Sequence, residues 1–139
     1  MTNFFKILFG RKTNVSSITP MNDVKAEIVY PGWNIYNKGQ TIGTMGCEGG
    51  IIILDMECIM GGRLTLEHST SIAPFAITFG IYSLMFHTHY CGTYTEAKEY
   101  IEKTFAKIDE AFSLYDIPES KRDAAWAEMH DKLLVELTK

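Results

Sequence analysis

The residues of this chain with the clearest chemical potential lie in His87-Thr88-His89-Tyr90-Cys91. Side chains alternate along a strand, so His87, His89 and Cys91 share one face there, and imidazole and thiolate are both zinc ligands. Successive side chains on one face stand about 7 Å apart. Two of the three, joined by a carboxylate from elsewhere, would therefore hold zinc or another divalent metal more easily than all three. The plainer reading is two histidines near a sheet end, satisfied by backbone carbonyls, with Cys91 in the turn before a helix. A second set is Asp55, Glu57, Arg63 and Glu67 on two neighbouring strands. A hairpin register whose paired numbers sum to 122 sets Asp55 directly opposite Glu67. Facing carboxylates repel unless a cation, a shared proton or an arginine intervenes, and acid/base pairs and hard-metal sites are built this way. The plainer alternative is solvated sheet polarity that Arg63 partly compensates.

Cys47, within Gly46-Cys47-Glu48-Gly49-Gly50, is a candidate nucleophile with His87 or His89 as its base. Trp33 and Tyr36, with Tyr82, Tyr90 and Tyr94, either line a binding groove or fill the core. The chain has no Gly-x-x-x-x-Gly-Lys, no Gly-x-Ser-x-Gly and no His-Glu-x-x-His, and its glycine cluster is not followed by a helix that would present an N-terminus to phosphate. No complete catalytic set emerges.

These residues must be positioned by strands that come first and helices that come last. Ile52, Leu54, Met56 and Cys58 alternate with Asp55 and Glu57, and Leu64 and Leu66 alternate with Arg63, Thr65 and Glu67. The sum of 122 leaves the turn Met60-Gly61-Gly62, with Gly62 supplying a positive φ. Val24 to Tyr30 reads as a strand stopped by Pro31-Gly32, and residues 31 to 50, with six glycines, as a long loop. Pro74 to Tyr90 is apolar on both faces and reads as one central strand bent at Gly80. Thr93 and Glu96 then form a capping box ahead of a stripe comprising Ala97, Tyr100, Ile101, Phe105, Ile108, Phe112 and Tyr115. Pro118 is placed to open a second helix with Ala125, Trp126, Met129, Leu133 and Leu137 on its buried face. The expected fold is α+β: a small antiparallel meander with a C-terminal helical hairpin packed on one face.

Of 139 residues, 46% are apolar and 22% charged, so a single globular domain buries about two thirds of its surface without metal or disulfide support. No apolar run reaches the ~18 residues that span a bilayer. Three widely spaced cysteines argue against a disulfide framework and for a reducing cytoplasm. The formal charge is −4 (13 − 17), which disfavours nucleic acid, but it is unevenly placed. Residues 1–12 carry Lys6, Arg11 and Lys12 for +3, whereas residues 13–139 carry −7. The first twelve residues, with Phe4, Phe5, Ile7, Leu8 and Phe9, suit a short amphipathic helix that docks on the domain, on a partner, or peripherally on the inner membrane surface. Residues 13–23 read as a linker and residues 24–139 as the domain.

Residues 62 to 105, through Gly62-Arg63-Leu64-Thr65-Leu66-Glu67 and the run Pro74 to Thr88, resemble small bacterial α+β proteins of uncharacterised function. The resemblance implies the order of strands and helices and brings no activity with it. The expected function is therefore that of a non-enzymatic cytosolic binding protein without a cofactor. Its partner would be a protein, a basic one that the −7 body neutralises as immunity proteins do, or a second copy of itself. The alternative is a small metal-dependent hydrolase using His87, His89 and the strand carboxylates.

Overall fold

Apolar alternation produces five antiparallel strands in a simple meander, β1 (Trp33–Ile35), β2 (Ile51–Cys58), β3 (Gly62–His68), β4 (Phe75–Ile81) and β5 (Met85–Cys91), each paired to the next. Two helices follow, α1 (Tyr94–Tyr115) and α2 (Ala124–Leu137), so the fold is α+β with a C-terminal helical hairpin. The computed structural model describes residues 28–139. The amphipathic segment at 1–12, the linker and most of the strand expected over Val24–Tyr30 lie outside the described residues. Ile28 to Tyr30 are not in a strand, and the first strand instead falls within the stretch expected to be loop.

Both helices begin where their caps dictate. The Thr93 hydroxyl accepts from the Glu96 amide, and Glu96 accepts in return from the Gly92 amide. At the second helix the cap is Asp123, which accepts from the Trp126 amide, while Pro118 opens only a 3₁₀ turn over Glu119–Lys121. The α1 stripe Ala97, Ile101, Phe105 and Ile108 is fully buried against Leu54, Leu64, Leu66, Ile77 and Phe79 on the inner face of the sheet. Phe105 stacks on Tyr30 at 5.0 Å and meets the Trp33 ring at a tilt of 53°, 4.6 Å between centres. Trp33, expected as a possible groove aromatic, is thus a core residue whose indole N–H donates to Asp109. On α2, Leu133 and Leu137 are buried, whereas Ala125 and Met129 lie outside the contact.

Two sequence expectations fail at turns. The β2–β3 hairpin pairs Glu57 with Arg63, Asp55 with Thr65 and Leu54 with Leu66, a sum of 120 rather than 122, and Ile53 then bulges so that Ile52 faces Glu67. The turn is Ile59-Met60-Gly61, and the positive φ of +103° belongs to Gly61. Gly62 serves a different purpose: a Cβ there would stand 2.8 Å from the Trp33 ring. The second failure is the single strand expected from Pro74 to Tyr90, which is two strands folded at Tyr82-Ser83-Leu84, with Ser83 at φ +66°. A serine in the left-handed region is uncommon, and the Leu84 amide bond to Ile81 closes the turn around it.

Truncating the ring that joins helix, sheet and the β1 approach should be costly. Phe105→Ala is expected to lower stability by about 3–5 kcal/mol, read as a fall in the urea midpoint with an unchanged slope, and Phe105→Leu by clearly less.

Candidate functional site

On the outer face of the sheet, away from the helices, the register lines up three cross-strand rows. One runs Glu57, Arg63, Gly80, Phe86; the next Asp55, Thr65, Thr78, Thr88; the third Ile52, Glu67, Ala76, Tyr90. Alternation alone would leave these side chains in solvent. Instead Asp55 and Glu67 are both 0% exposed. The glycine-rich chain between β1 and β2 folds back across the sheet as a small hairpin, held by Gly43 and Ile52 amides donating to Ile52 and Thr44 carbonyls, and covers both acids. The expectation of solvated polarity, and of Asp55 facing Glu67, is therefore corrected: the acids sit in different rows, each in its own polar cage.

Asp55 is held by a cation. Arg63 donates through Nε to Oδ1 at 3.0 Å and through Nη2 to Oδ2 at 2.8 Å, a forked pair, and the Thr41 hydroxyl adds a bond of 2.8 Å. The guanidinium lies flat on Tyr36, 3.6 Å from the ring centre, and the bond to Asp55 holds Arg63 above its ordinary value. Of the residues expected to bind, Asp55, Arg63 and Tyr36 thus come together, Glu57 stands beside them opposite Arg63, and Trp33 does not join them.

Glu67 is held by the loop itself. Its carboxylate accepts from the amides of Glu48 and Gly50, at 3.2 and 3.1 Å, and contacts the Cys47 thiol at 3.8 Å. Backbone and carboxylate meet so closely that a Cβ on Gly46 would lie 2.1 Å from Glu67 Cδ. Cys47 also reaches Thr78 at 3.8 Å; Thr78 touches Thr88 at 3.2 Å; and Glu48 accepts from Thr88 and from the Tyr90 hydroxyl. That last bond raises Tyr90 above its ordinary value. Sequence reasoning missed Thr41, Thr65, Thr78 and Thr88. The Thr65–Thr78–Thr88 row needs the register to be seen, and Thr41 needs the loop's return.

Beside this polar row the outer face opens into a groove of about 710 Å³. It is lined by Thr65 and Thr78, by Gly80 with the Phe86 ring lying against it, and by Met45, Cys47 and Tyr82. Met45, Tyr82 and Phe86 are 74%, 62% and 71% exposed, so apolar surface borders a polar floor.

The histidine cluster lies on the opposite side of the sheet. His87, His89 and Cys91 do share one face, opposite Phe79, Ile77 and Phe75, but that face is turned toward the helices. His89 stacks on Tyr100 at 3.7 Å, His87 meets the edge of Phe79, and Cys91 is buried with its thiol pushed up by burial and by Glu96. Among the described residues no three His, Cys, Asp or Glu side chains are grouped to hold a metal ion. The sheet separates Cys47 from both histidines, so the Cys47–histidine pairing is not assembled. No helix among the described residues is long and apolar enough to cross a membrane. Comparison with protein-family models, curated proteins and solved structures finds no match to this chain.

Two outcomes follow from these environments. Gly46→Ala forces the loop off Glu67 and should cost about 1–3 kcal/mol while speeding reaction of Cys47 with a thiol reagent, the buried Cys58 and Cys91 remaining slow. Burial holds His68 and His89 below the ordinary histidine value, His87 adding to the effect on His89. Folding therefore favours their neutral forms: stability is full above the unfolded value of about 6.5 and declines as pH falls through it toward the folded values. The urea midpoint should drop between about pH 7.5 and about pH 5, and His89→Phe, which keeps a ring on Tyr100, should reduce that drop. An equal drop in the variant would contradict the assignment.

Proposed function

We propose that this protein binds a partner segment that is both apolar and basic, seated in the outer-face groove. The observation that carries the reading is a groove with exposed Met45, Tyr82 and Phe86 beside a floor of Thr65 and Thr78. Electrostatics selects the sign of the occupant. Glu48, Asp55, Glu57 and Glu67 stand against Arg63 on this face, a formal −3 (1 − 4), within a body of −7. Glu67 is held by the Glu48 and Gly50 amides and the Cys47 thiol with no cation beside it, unlike the ion-paired Asp55. A lysine or arginine beside an apolar anchor would meet both features, and such complementarity chiefly sets the rate and selectivity of association. A cap on a basic protein surface, as neutralising partners provide, is the role that matches this chemistry. A binding role also accords with the separation of Cys47 from His87 and His89.

The test uses two blocked peptides, one alternating Lys and Leu and the other Glu and Leu, titrated into the isotope-labelled full chain. The basic peptide is expected to shift the amide resonances of Thr65, Thr78, Gly80 and Phe86 saturably, and the acidic one to leave them in place. Phe86→Ala, which removes an exposed ring from the groove, should weaken that binding about tenfold, equivalent to about 1.4 kcal/mol. Equal shifts with both peptides, or none with either, would overturn the reading.

A further inference from the structure

The two edges of the sheet are unlike. β1 is three residues long and turns at once into the 3₁₀ segment Tyr36–Gly39, so it offers little to a passing strand. β5 runs for seven residues, Met85-Phe86-His87-Thr88-His89-Tyr90-Cys91, with β4 on one side and no strand among the described residues on the other. It carries none of the features that usually protect an edge: no Lys, Arg, Asp, Glu or Pro, and an unbroken register with β4 in which every pair sums to 166. Phe86 and Tyr90 stand out from its outer face, 71% and 36% exposed.

From this edge we infer that the protein forms a two-fold symmetric dimer in which β5 pairs antiparallel with β5 of a second copy, giving a continuous ten-stranded sheet. The occupant is a second copy because the strand is symmetric in kind about Thr88. An antiparallel copy centred there sets Thr88 against Thr88, His87 against His89, Phe86 against Tyr90 and Met85 against Cys91, so each residue meets one of its own chemical type. Aromatic pairs then cross the new interface on the outer face and a Thr–Thr pair stands at its centre, both arrangements that stabilise antiparallel pairs. The strand itself holds no formally charged residue; the acid nearest the axis is Glu48, which accepts from Thr88 and Tyr90, so screening of the two copies' Glu48 carboxylates makes association strengthen with added salt. The outer faces of the two copies become one surface, bringing the two grooves onto a shared sheet. The inference does not depend on what the groove binds.

Sedimentation equilibrium on the full chain, over a micromolar to millimolar series, should fit a reversible monomer–dimer equilibrium. Register is tested by single cysteines placed in a Cys47→Ser background. Directly opposed strand positions are within disulfide reach. Under mild oxidation Thr88→Cys should yield a covalent dimer in high yield, and Phe86→Cys or Tyr90→Cys alone little. A mixture of the last two should yield a covalent heterodimer. Thr88→Lys, which the neighbouring Glu48 can accommodate in the monomer, should abolish association while the chain keeps its cooperative melt. A chain that stays monomeric throughout the series overturns the inference. So does a dimer that crosslinks equally well at all three positions, or one that survives Thr88→Lys.

Discussion

The arrangement of this protein's outer face depends on one buried carboxylate. Glu67 is fully enclosed, and no ammonium or guanidinium among the described residues lies within ion-pair distance of it. An ionised carboxylate is costly to bury unless its oxygens are hydrogen-bonded, and here the donors come from the loop backbone at Glu48 and Gly50. Loop and acid therefore require one another: without the loop the acid would be solvated, and without the acid the loop amides would have no acceptor on the sheet. Gly46 makes this possible, since any side chain there would occupy the carboxylate's place. The second cage, around Asp55, pins the earlier part of the same loop through Thr41, so the loop is fastened to the sheet at two points.

This fastening gives the sheet two faces of different character. The inner face is a conventional apolar layer under α1, into which His89 fits by stacking on Tyr100 and His87 by its edge contact with Phe79. The outer face is polar at its centre, with the threonine row and the two acids, and apolar at its rim, with Met45, Tyr82 and Phe86. Cys47 stands where these regions meet, on Thr78 and Glu67, and the groove begins beside it. The outer face thus sets exposed apolar side chains beside carboxylates, and the β5 edge next to it carries no formally charged residue.

Much of the fold was legible because the signals are local. The alternation in Ile52 to Cys58 and Leu64 to Leu66, and the capping box at Thr93 and Glu96, each concern residues a few positions apart. Register was not legible for a specific reason: sums of 120 and 122 have the same parity, so both bury Leu54, Met56, Leu64 and Leu66, and burial cannot choose between them. The observed register sets Gly62 in the row of Cys58 and Trp33, where the Trp33 ring lies over the glycine and a Cβ would stand 2.8 Å from it. The β4–β5 turn was hidden similarly. Tyr82-Ser83-Leu84 lacks the glycine, asparagine or aspartate that marks a left-handed position, and the pairing of two apolar strands holds Ser83 there.

The sequence by itself determined which side chains share a face from Leu54 to Cys58 and along β3, where the first helix starts and how charge divides between the first twelve residues and the rest, since these follow from periodicity, capping chemistry and counting; the bulge at Ile53, which turns Ile52 to the outer face, left no such mark. Only the tertiary structure decided that Asp55 and Glu67 are buried rather than solvated, that Trp33 is core, and that Cys47 and the histidines lie on opposite sides of the sheet. Each of those outcomes hangs on a contact between distant residues, the loop crossing back over the strands for the acids and Cys47 and the packing of β1 on α1 for Trp33, whose geometry is set by hydrogen bonds and close packing. Such a contact leaves no periodic trace in the chain.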